Sequence, residues 1–369
     1  MTGALAQTHD ARDDRSEVDG GSQLSLHRRP AVGPSPDDGL AALLRILPPW
    51  IQDAITDFTG EDLEEVALDL GRPLSLRSRV QQRFVMHEVA RADLHYIIHR
   101  VHGFREDNRT GIDHTVHRIA CIRDRHGIVV GLTIRIGRVL GGSADVLRDL
   151  LLTKRSLLFV GPPGSGKTTI LRDATRILAE AWGARVIVVD TSNEIGGDGR
   201  VPHAGIGHAR RVQVSAPADQ ARILMQTLTN HGPQVVVIDE LGFHMDVGVA
   251  LTIARRGVQM LATVHGHILD DVVANPDLAP LVGGIALTDA VQRRRIANPA
   301  FSCAVEVRDH HTIVVHTDMA RSVDELCAGK TPSAVDIRIW PTHTAAPLDP
   351  RGSAREAGAA PPCPRPAMN

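Results

Sequence analysis

The chain has 369 residues, of which 43% are hydrophobic and 23% are charged, and its formal net charge is -2. This length allows two compact domains, since a domain typically takes about 100 to 200 residues. The near-neutral balance of 41 basic and 43 acidic side chains excludes the global attraction expected of a dedicated nucleic-acid coat or membrane-surface binder.

The cysteines and the apolar runs indicate a protein of the reducing cytoplasm. No uncharged apolar run approaches the roughly 18 residues needed to span a bilayer, and charged residues occupy the place where a signal peptide carries its apolar region. The cysteines lie far apart and form no CxxC pair, which supports neither a disulfide framework nor a zinc ribbon. They are Cys121, Cys303, Cys327 and Cys363. We therefore expect a cytoplasmic protein with no membrane span.

Two tails flank the predicted domains. Residues 1–39 mix Asp, Gly, Ser, Pro and Arg without an apolar period, and residues 341–369 are rich in Pro, Ala and Arg. We expect both to be disordered. Residues 40–140 predict a small α+β domain with no catalytic constellation. Its predicted elements are a helix over residues 40–58, a hairpin turning at residues 71–73, a helix stopping at residue 103 and a hairpin over residues 115–136.

The pattern changes near residue 145, where short apolar strands begin to alternate with amphipathic helices. This alternation is typical of a parallel sheet covered on both faces. After residue 299 the pattern returns to β-strands. The predicted parallel strands are residues 157–160, 185–190, 212–214, 235–239 and 259–264. We therefore predict an α/β domain over residues 141–340.

A phosphate-binding loop follows the first of these strands. The sequence GPPGSGKT fits the pattern GxxxxGK[ST] between a strand and a helix. Glycines let the backbone aim its N–H groups at a phosphate, and the next helix presents its positive end to the same anion. Lys167 would reach the β- and γ-phosphates, and the Thr168 hydroxyl would bind Mg²⁺. The predicted nucleotide-binding residues are Gly161, Pro162, Pro163, Gly164, Ser165, Gly166, Lys167, Thr168 and Thr169. The alternative is a Gly-Pro-rich turn with an incidental lysine.

Two adjacent acids end the apolar strand VVVIDE some 70 residues later. A nucleotide triphosphatase needs a carboxylate for its metal and a group that orients or deprotonates water. Asp239 can serve the metal, and Glu240 can face the γ-phosphate as the catalytic base. This spacing indicates a Walker B motif, although solvated acids often end strands.

Two more strand ends should meet at this edge, because parallel sheets gather ligand groups at their carboxyl ends. Glu194 follows the second strand and is an alternative base. Thr263 and His265 lie at the end of a later strand, where a group that senses the γ-phosphate would sit. His267 and His203 are as consistent with a structural role as with a functional one.

Arginines offer further candidates. Arg210 and Arg211 could act as an arginine finger towards a neighbouring subunit's γ-phosphate, or form a surface salt bridge. Residues 255–256 are more typical of helix C-terminal capping. Residues 293–295 form the densest basic cluster, for which a solvated or subunit-facing surface is favoured over a nucleic-acid site.

The combined motifs resemble a known family. The segments DNRTGIDHTVHRIACIRDRHG, GPPGSGKTT, VVDTSNEIGGDG, VPHAGIGHARRVQV, VVVIDELG and ATVHGH look like the stage III sporulation protein AA type of ATPase, and most like its chloroplast and cyanobacterial branch. That family is similar to type II and type IV secretion ATPases, which assemble as hexameric rings. The resemblance implies an acidic box of Asp190 with Glu194 and a histidine box of Thr263 with His265. The branch often carries a C-terminal nucleic-acid module, for which the Pro-rich tail leaves no room.

We therefore predict a P-loop NTPase of the RecA/AAA-like, additional-strand class, with a parallel central sheet and a smaller N-terminal α+β domain. It would bind ATP and Mg²⁺ and hydrolyse ATP to drive conformational or mechanical work in a homo-oligomer with an unknown protein partner. One alternative is an ATPase that binds single-stranded nucleic acid, which the 3% aromatic content disfavours. Another is a nucleotide-gated scaffold with little turnover.

Overall fold

A computed structural model describes residues 36–56, 63–78, 81–139, 141–242, 244–288, 292–309 and 312–339. The predicted tails lie outside these residues except for residues 36–39, which are helical and correct the boundary of the N-terminal tail. The helix predicted over residues 40–58 is two helices, α1 (Pro36–Ile46) and α2 (Pro49–Thr56). Consecutive prolines at 48 and 49 separate them, because proline has no N–H and its ring clashes with the preceding turn.

An antiparallel sheet follows, with strand order β3-β2-β1-β6-β5-β4. Its strands are β1 (Leu63–Asp69), β2 (Pro73–Ser78), β3 (Gln82–Glu88), β4 (Arg109–Gly111), β5 (Arg118–Arg123) and β6 (Val129–Arg135), and α3 (Arg91–Ile98) follows β3. Alternate side chains such as Val66, Leu68 and Leu132 are fully buried in one cluster with apolar residues of the three helices. Both predicted hairpins are confirmed. The strands β3 and β4 were not predicted, since β3 is mostly exposed and β4 has three residues.

The second sheet is mixed and has eight strands. They are β7 (Leu157–Gly161), β8 (Val186–Asp190), β9 (Arg210–Gln213), β10 (Val235–Ile238), β11 (Gln259–His265), β14 (Cys303–Val307), β15 (Thr312–His316) and β16 (Val335–Ile339). Their order is β16-β15-β14-β7-β11-β10-β8-β9. All pairs from β14 to β9 are parallel, whereas β15 and β16 pair antiparallel at the other edge. The strand β11 lies between β7 and β10, as the additional-strand class requires.

Helices cover both faces of this sheet. They are α4 (Arg148–Leu151), α5 (Lys167–Trp182), α6 (Gln220–His231), α7 (His244–Arg255), α8 (Leu269–Ala274) and α9 (Met319–Cys327). Phe159 and Val188 join the buried cluster that contains α5, and Leu158 and Val236 join the cluster that contains α6 and α7. Because all residues of β7, β8 and β10 are buried, these strands carry no hydrophobic-polar alternation.

A hairpin of β12 (Ile285–Thr288) and β13 (Gln292–Arg295) stands apart from both large sheets. It was not predicted, and it contains the basic cluster at residues 293–295. Among the described helices, none has both the length and the apolar composition needed to cross a bilayer.

Candidate active site

The phosphate-binding loop connects β7 to α5 at the carboxyl edge of the parallel strands. Gly164 and Gly166 have φ angles of +77° and +98°, a region that side chains with a Cβ rarely adopt. A Cβ on Gly161 would lie 2.7 Å from both Ser165 Oγ and the Val307 carbonyl oxygen. The loop therefore requires glycine at these positions, and α5 begins directly behind it with its positive end towards the loop.

Lys167 is buried and lies against its own loop. Its Nζ donates hydrogen bonds to the carbonyl oxygens of Gly161 at 2.6 Å and Pro162 at 2.9 Å. Burial lowers the pKa of Lys167, and the nearby charges of Glu240 and Glu194 oppose that change. The ammonium group is thus held beside the loop glycines, near acidic side chains. A polyphosphate bound in the loop would accept charge-assisted hydrogen bonds from it.

Glu194 connects the phosphate-binding loop to the antiparallel sheet. The Thr168 hydroxyl donates a hydrogen bond to Glu194 Oε2 at 3.4 Å, and Arg118 Nη1 on β5 lies 3.2 Å from Glu194 Oε1. The predicted alternative base therefore lies next to the predicted magnesium ligand. The contact with Arg118 was not predicted, because the two residues lie 76 positions apart in the sequence.

The loop that carries Glu194, residues 191–200, is held by two arginines. Arg172 on α5 is buried and donates to the carbonyl oxygens of Glu194 and, at 2.9 Å, Ile195. Arg211 donates to the Gly196 carbonyl oxygen at 3.2 Å and to three further carbonyls of the loop. Arg172 was missed from the sequence; its signal was an arginine among the apolar residues of an amphipathic helix.

Residues 109–117 pack directly on the same loop. A Cβ on Gly111 would collide with the side chain of Asp198, and a Cβ on Gly199 would lie 2.6 Å from the Cα of Asp113. The Asp113 carboxylate also accepts a hydrogen bond from the Val201 backbone N–H at 3.2 Å. The two segments are therefore in backbone-to-backbone contact, which glycine alone permits at these positions.

Asp190 and Asp239 are buried side by side below this loop. Asp190 accepts a hydrogen bond from the Gly196 N–H at 2.8 Å, and Asp239 accepts one from the Ser192 N–H at 3.3 Å. Burial raises the pKa of Asp190 to about 6. Burial, together with the charges of Asp190 and Glu194, raises the pKa of Asp239 well above its usual value. A cation in the site would favour the charged form of both groups.

Glu240 and His265 form a pair at the mouth of the site. His265 Nε2 lies 3.0 Å from Glu240 Oε1, and the two side chains are 51% and 48% exposed. Thr263 is buried, and its hydroxyl donates to the Asp239 carbonyl oxygen, so it holds the segment that follows β10. His203 caps the turn that follows it, since its Nδ1 accepts a hydrogen bond from the Gly205 N–H at 2.7 Å.

A cleft of about 250 Å³ lies between the antiparallel sheet, the first turn of α5 and the loop after β8. The cations on one wall and the loop residues on the other make its shape and charge suitable for an anionic ligand. Its lining includes Arg118, Arg135, Arg138, Thr168, Thr169 and Glu194. The three arginines were not predicted as site residues.

The chain's own groups fit a magnesium ion. The described residues contain no group of three or more His, Cys, Asp or Glu side chains arranged to hold a metal. Mg²⁺ usually takes one or two carboxylates and completes its shell with water and substrate phosphates. The Thr168 hydroxyl, beside Glu194, and the buried Asp239 carboxyl match this donor set.

The remaining arginine candidates separate clearly. Arg211 is committed to carbonyl oxygens of its own chain, which is a different role from the predicted finger, whereas Arg210 is exposed on the edge strand β9. In the basic cluster, Arg293 lies 3.1 Å from Asp270 and Arg295 lies 2.8 Å from Asp324. Two of the three charges in that cluster are thus paired within the chain.

Comparison with solved structures supports the fold assignment. The X-ray structure of the Legionella pneumophila ATPase DotB matches 77% of this chain and 84% of its own, with a TM-score of 0.50 and 14% identity. At this identity the likeness concerns the fold alone. The chain has the P-loop NTPase fold, with the additional strand between β7 and β10.

Sequence relatives identify the family. Protein SEEDLING PLASTID DEVELOPMENT 1 of Arabidopsis thaliana is 42% identical over 324 residues, which are 84% of this chain and 47% of that protein. The ycf45 protein of Porphyra purpurea is 39% identical over 309 residues, covering 80% of this chain and 55% of its own. The chain thus spans about half the length of these relatives.

A bacterial relative is more distant. Stage III sporulation protein AA of Bacillus subtilis is 27% identical over 265 residues, covering 65% of this chain and 86% of its own. The predicted similarity to the plastid branch is confirmed by the higher identities of the plant and Porphyra proteins. The family model described as sporulation stage III, protein AA matches residues 50–299, and the chain belongs to this family.

Proposed function

We propose that the chain binds ATP with Mg²⁺ and hydrolyses it. The observation that carries this proposal is the convergence of four strand ends at one sheet edge. The loop after β7 brings Lys167, the loop after β8 brings Glu194, the segment after β10 brings Glu240, and β11 ends at His265. The positive loop and the acids are groups that phosphoryl transfer to water requires, and the histidine is paired with one of these acids.

The residues divide the work by charge. Lys167 and the arginines of the cleft would bind the phosphates and stabilise the negative charge that develops on them. Thr168 and Asp239 would hold Mg²⁺, which would neutralise negative charge on the phosphates. The loop glycines aim backbone N–H groups at the same anion.

Glu240 is the better candidate for the group that orients and deprotonates water. Glu194 has both oxygens engaged, one by Thr168 and one by Arg118. Glu240 pairs through Oε1 with His265, which leaves Oε2 for a water molecule. Glu194 is then the positioning residue for Thr168.

We further propose that hydrolysis drives conformational work in a homo-oligomer that acts on a protein partner. The resemblance to ring-forming secretion ATPases motivates this assignment, and Arg210, exposed on the edge strand β9, is available to a neighbouring subunit. Nucleic acid is not favoured as a partner, because Arg293 and Arg295 of the main basic cluster are paired with Asp270 and Asp324.

The proposal is tested by Lys167→Ala against a matched control, Lys330→Ala, whose side chain is exposed away from the loop. We expect Lys167→Ala to lose measurable ATP affinity in the presence of Mg²⁺ while its circular dichroism stays that of wild type. Lys330→Ala should bind as wild type does. Equal ATP affinity in both variants, measured by titration calorimetry, would remove the P-loop assignment.

A further inference from the structure

Asn193 has an unusual backbone conformation beside the proposed catalytic groups. Its φ is +56°, a left-handed value that Asn tolerates better than most residues with a Cβ. The side chain is 5% exposed, and the residue lines the same cleft as Thr168 and Glu194. Non-glycine residues in this region often mark functional sites, so the contacts of its amide are informative.

Gln213 determines which way the Asn193 amide faces. Gln213 Nε2 donates to Asn193 Oδ1 at 3.1 Å and lies 3.5 Å from the carbonyl oxygen of Asp198. A backbone carbonyl only accepts hydrogen bonds, so Gln213 must present its nitrogen on this side. Asn193 therefore turns its oxygen to Gln213 and its nitrogen away from it.

The Asn193 amide nitrogen is buried and has no hydrogen-bond partner among the described residues. An unpaired buried donor costs free energy, and such groups in native structures call for an explanation. Ser165 Oγ in the phosphate-binding loop is also buried without a partner. Two unpaired hydrogen-bond donors therefore flank the proposed site, one on the phosphate-binding loop and one on the loop after β8.

We propose that Asn193 Nδ2 donates a hydrogen bond to the terminal phosphate of a bound nucleoside triphosphate, and that Gln213 is its positioning residue. This inference rests on the proposed function and deepens it. It assigns to Asn193 the discrimination between a triphosphate and a diphosphate, because only the triphosphate carries the group that accepts this bond. Through Gln213, the edge strand β9 would also be linked to the residue that distinguishes a bound triphosphate from a diphosphate.

The test measures the affinity of the protein for a non-hydrolysable ATP analogue and for ADP, each in the presence of Mg²⁺. Because the analogue is not hydrolysed, turnover plays no part. Asn193→Asp keeps the shape and the left-handed backbone but replaces the donor with an acceptor. Asn193→Gly keeps the backbone and removes the side chain. We expect both variants to bind the analogue about 10-fold or more weakly than wild type does, as for a lost hydrogen bond to a charged group. Their affinity for ADP should stay within about 2-fold of the wild-type affinity.

Gln213→Glu tests the positioning role. A carboxylate at this position accepts hydrogen bonds, so it would turn the Asn193 nitrogen away from the nucleotide. The affinity for the analogue should then fall more than the affinity for ADP. The matched control is Asn108→Asp, since Asn108 also has a positive φ, +59°, and its Oδ1 accepts a hydrogen bond from Arg123 outside the cleft. Its ratio of the two affinities should equal that of wild type.

The outcomes separate the two proposals. Unchanged binding in Lys167→Ala would overturn the proposed function itself. Suppose instead that Lys167→Ala loses its affinity for both nucleotides while the Asn193 variants keep the wild-type ratio of analogue affinity to ADP affinity. In that case Asn193 only shapes its loop, and the inference is wrong. Equal weakening of both nucleotides by the Asn193 variants leads to the same conclusion, because it indicates a damaged site rather than a lost phosphate contact.

Discussion

Arg172 on α5 donates a hydrogen bond to the carbonyl oxygen of Ile195 at 2.9 Å. A buried guanidinium thus joins the helix that follows the phosphate-binding loop to the loop that carries Glu194. The same side chain donates to the Glu194 carbonyl oxygen. Because the hydrogen bond to the Ile195 carbonyl oxygen is buried, it is more costly to lose than a bond to a solvent-exposed group.

Arg172→Lys should loosen the loop without removing the positive charge. A lysine ammonium is a point charge and does not reproduce the fork of donors that Arg172 presents. We expect about 1–3 kcal/mol less stability and faster amide exchange over residues 194–200, measured by mass spectrometry. Arg176→Lys is the control, since Arg176 lies on the same helix but pairs with Asp173 and Glu180. Equal exchange in both variants would contradict the role of Arg172.

Glu240→Gln and Glu194→Gln distinguish the catalytic base from the positioning residue. If Glu240 deprotonates water, its glutamine variant should bind ATP normally and lose roughly two or more orders of magnitude in turnover, the scale of a missing general base. Glu194→Gln should lose less. Single-turnover assays at saturating ATP provide the measurement, with Glu180→Gln on α5 as an exposed control. The opposite ranking assigns the base to Glu194.

The stability of the chain should depend on pH through Asp190. Burial raises the pKa of Asp190 to about 6 in the folded chain, from about 4 when unfolded. The folded state therefore binds more protons between these values, and the free energy of unfolding falls as pH rises from about 4 to about 6. The full loss is on the order of 3 kcal/mol.

Urea unfolding between pH 4 and pH 8 measures this effect. Asp190→Asn cannot ionise, so its stability should rise relative to wild type across the same pH interval and then stay constant. Asp53→Asn, a change at an exposed position of α2, should run parallel to wild type. A constant difference between Asp190→Asn and wild type would show that Asp190 titrates normally.

Arg210 should act on a neighbouring subunit, whereas Arg211 should act within its own. Both alanine variants should lower turnover, but Arg210→Ala subunits mixed with wild type should inhibit more than in proportion to their number, since each incomplete site lies on a neighbour. In mixtures of Arg211→Ala and wild-type subunits, activity should fall in proportion to the fraction of variant, because the Arg211 hydrogen bonds hold the loop of the same subunit. Light scattering with ATP and Mg²⁺ tests the oligomer directly, and a strict monomer with concentration-independent turnover excludes the finger.

The phosphate-binding loop and the strand before it were predictable because their signals are local. The loop's glycines, Lys167 and Thr168 are contiguous, and the apolar run of β7 ends directly before them. The acids Asp239 and Glu240 were predictable for the same reason, as residues at the end of a buried strand. The rule that parallel strands gather their carboxyl ends then brought these groups to one edge.

Contacts between distant segments were not predictable. Arg118 and Glu194 are 76 residues apart, and nothing near either residue indicates their pairing. The contacts of Arg211 were also not predictable, because β9 begins at Arg210 rather than at residue 212 and places the Arg211 side chain on the loop after β8. The strand β3 escaped detection because its side chains are largely exposed, so the apolar period that marks a half-buried strand is missing.

The glycine contacts between residues 109–117 and the loop after β8 have a mechanical consequence. Gly111 and Gly199 bring two backbones together with no side chain between them. A contact between backbones transmits displacement more directly than a contact between flexible side chains does. Force applied to the antiparallel sheet would therefore pull on Glu194 almost directly. The six-stranded sheet can then serve as a lever arm, by which a load on the N-terminal part of the chain changes the position of a carboxylate beside the phosphate-binding loop.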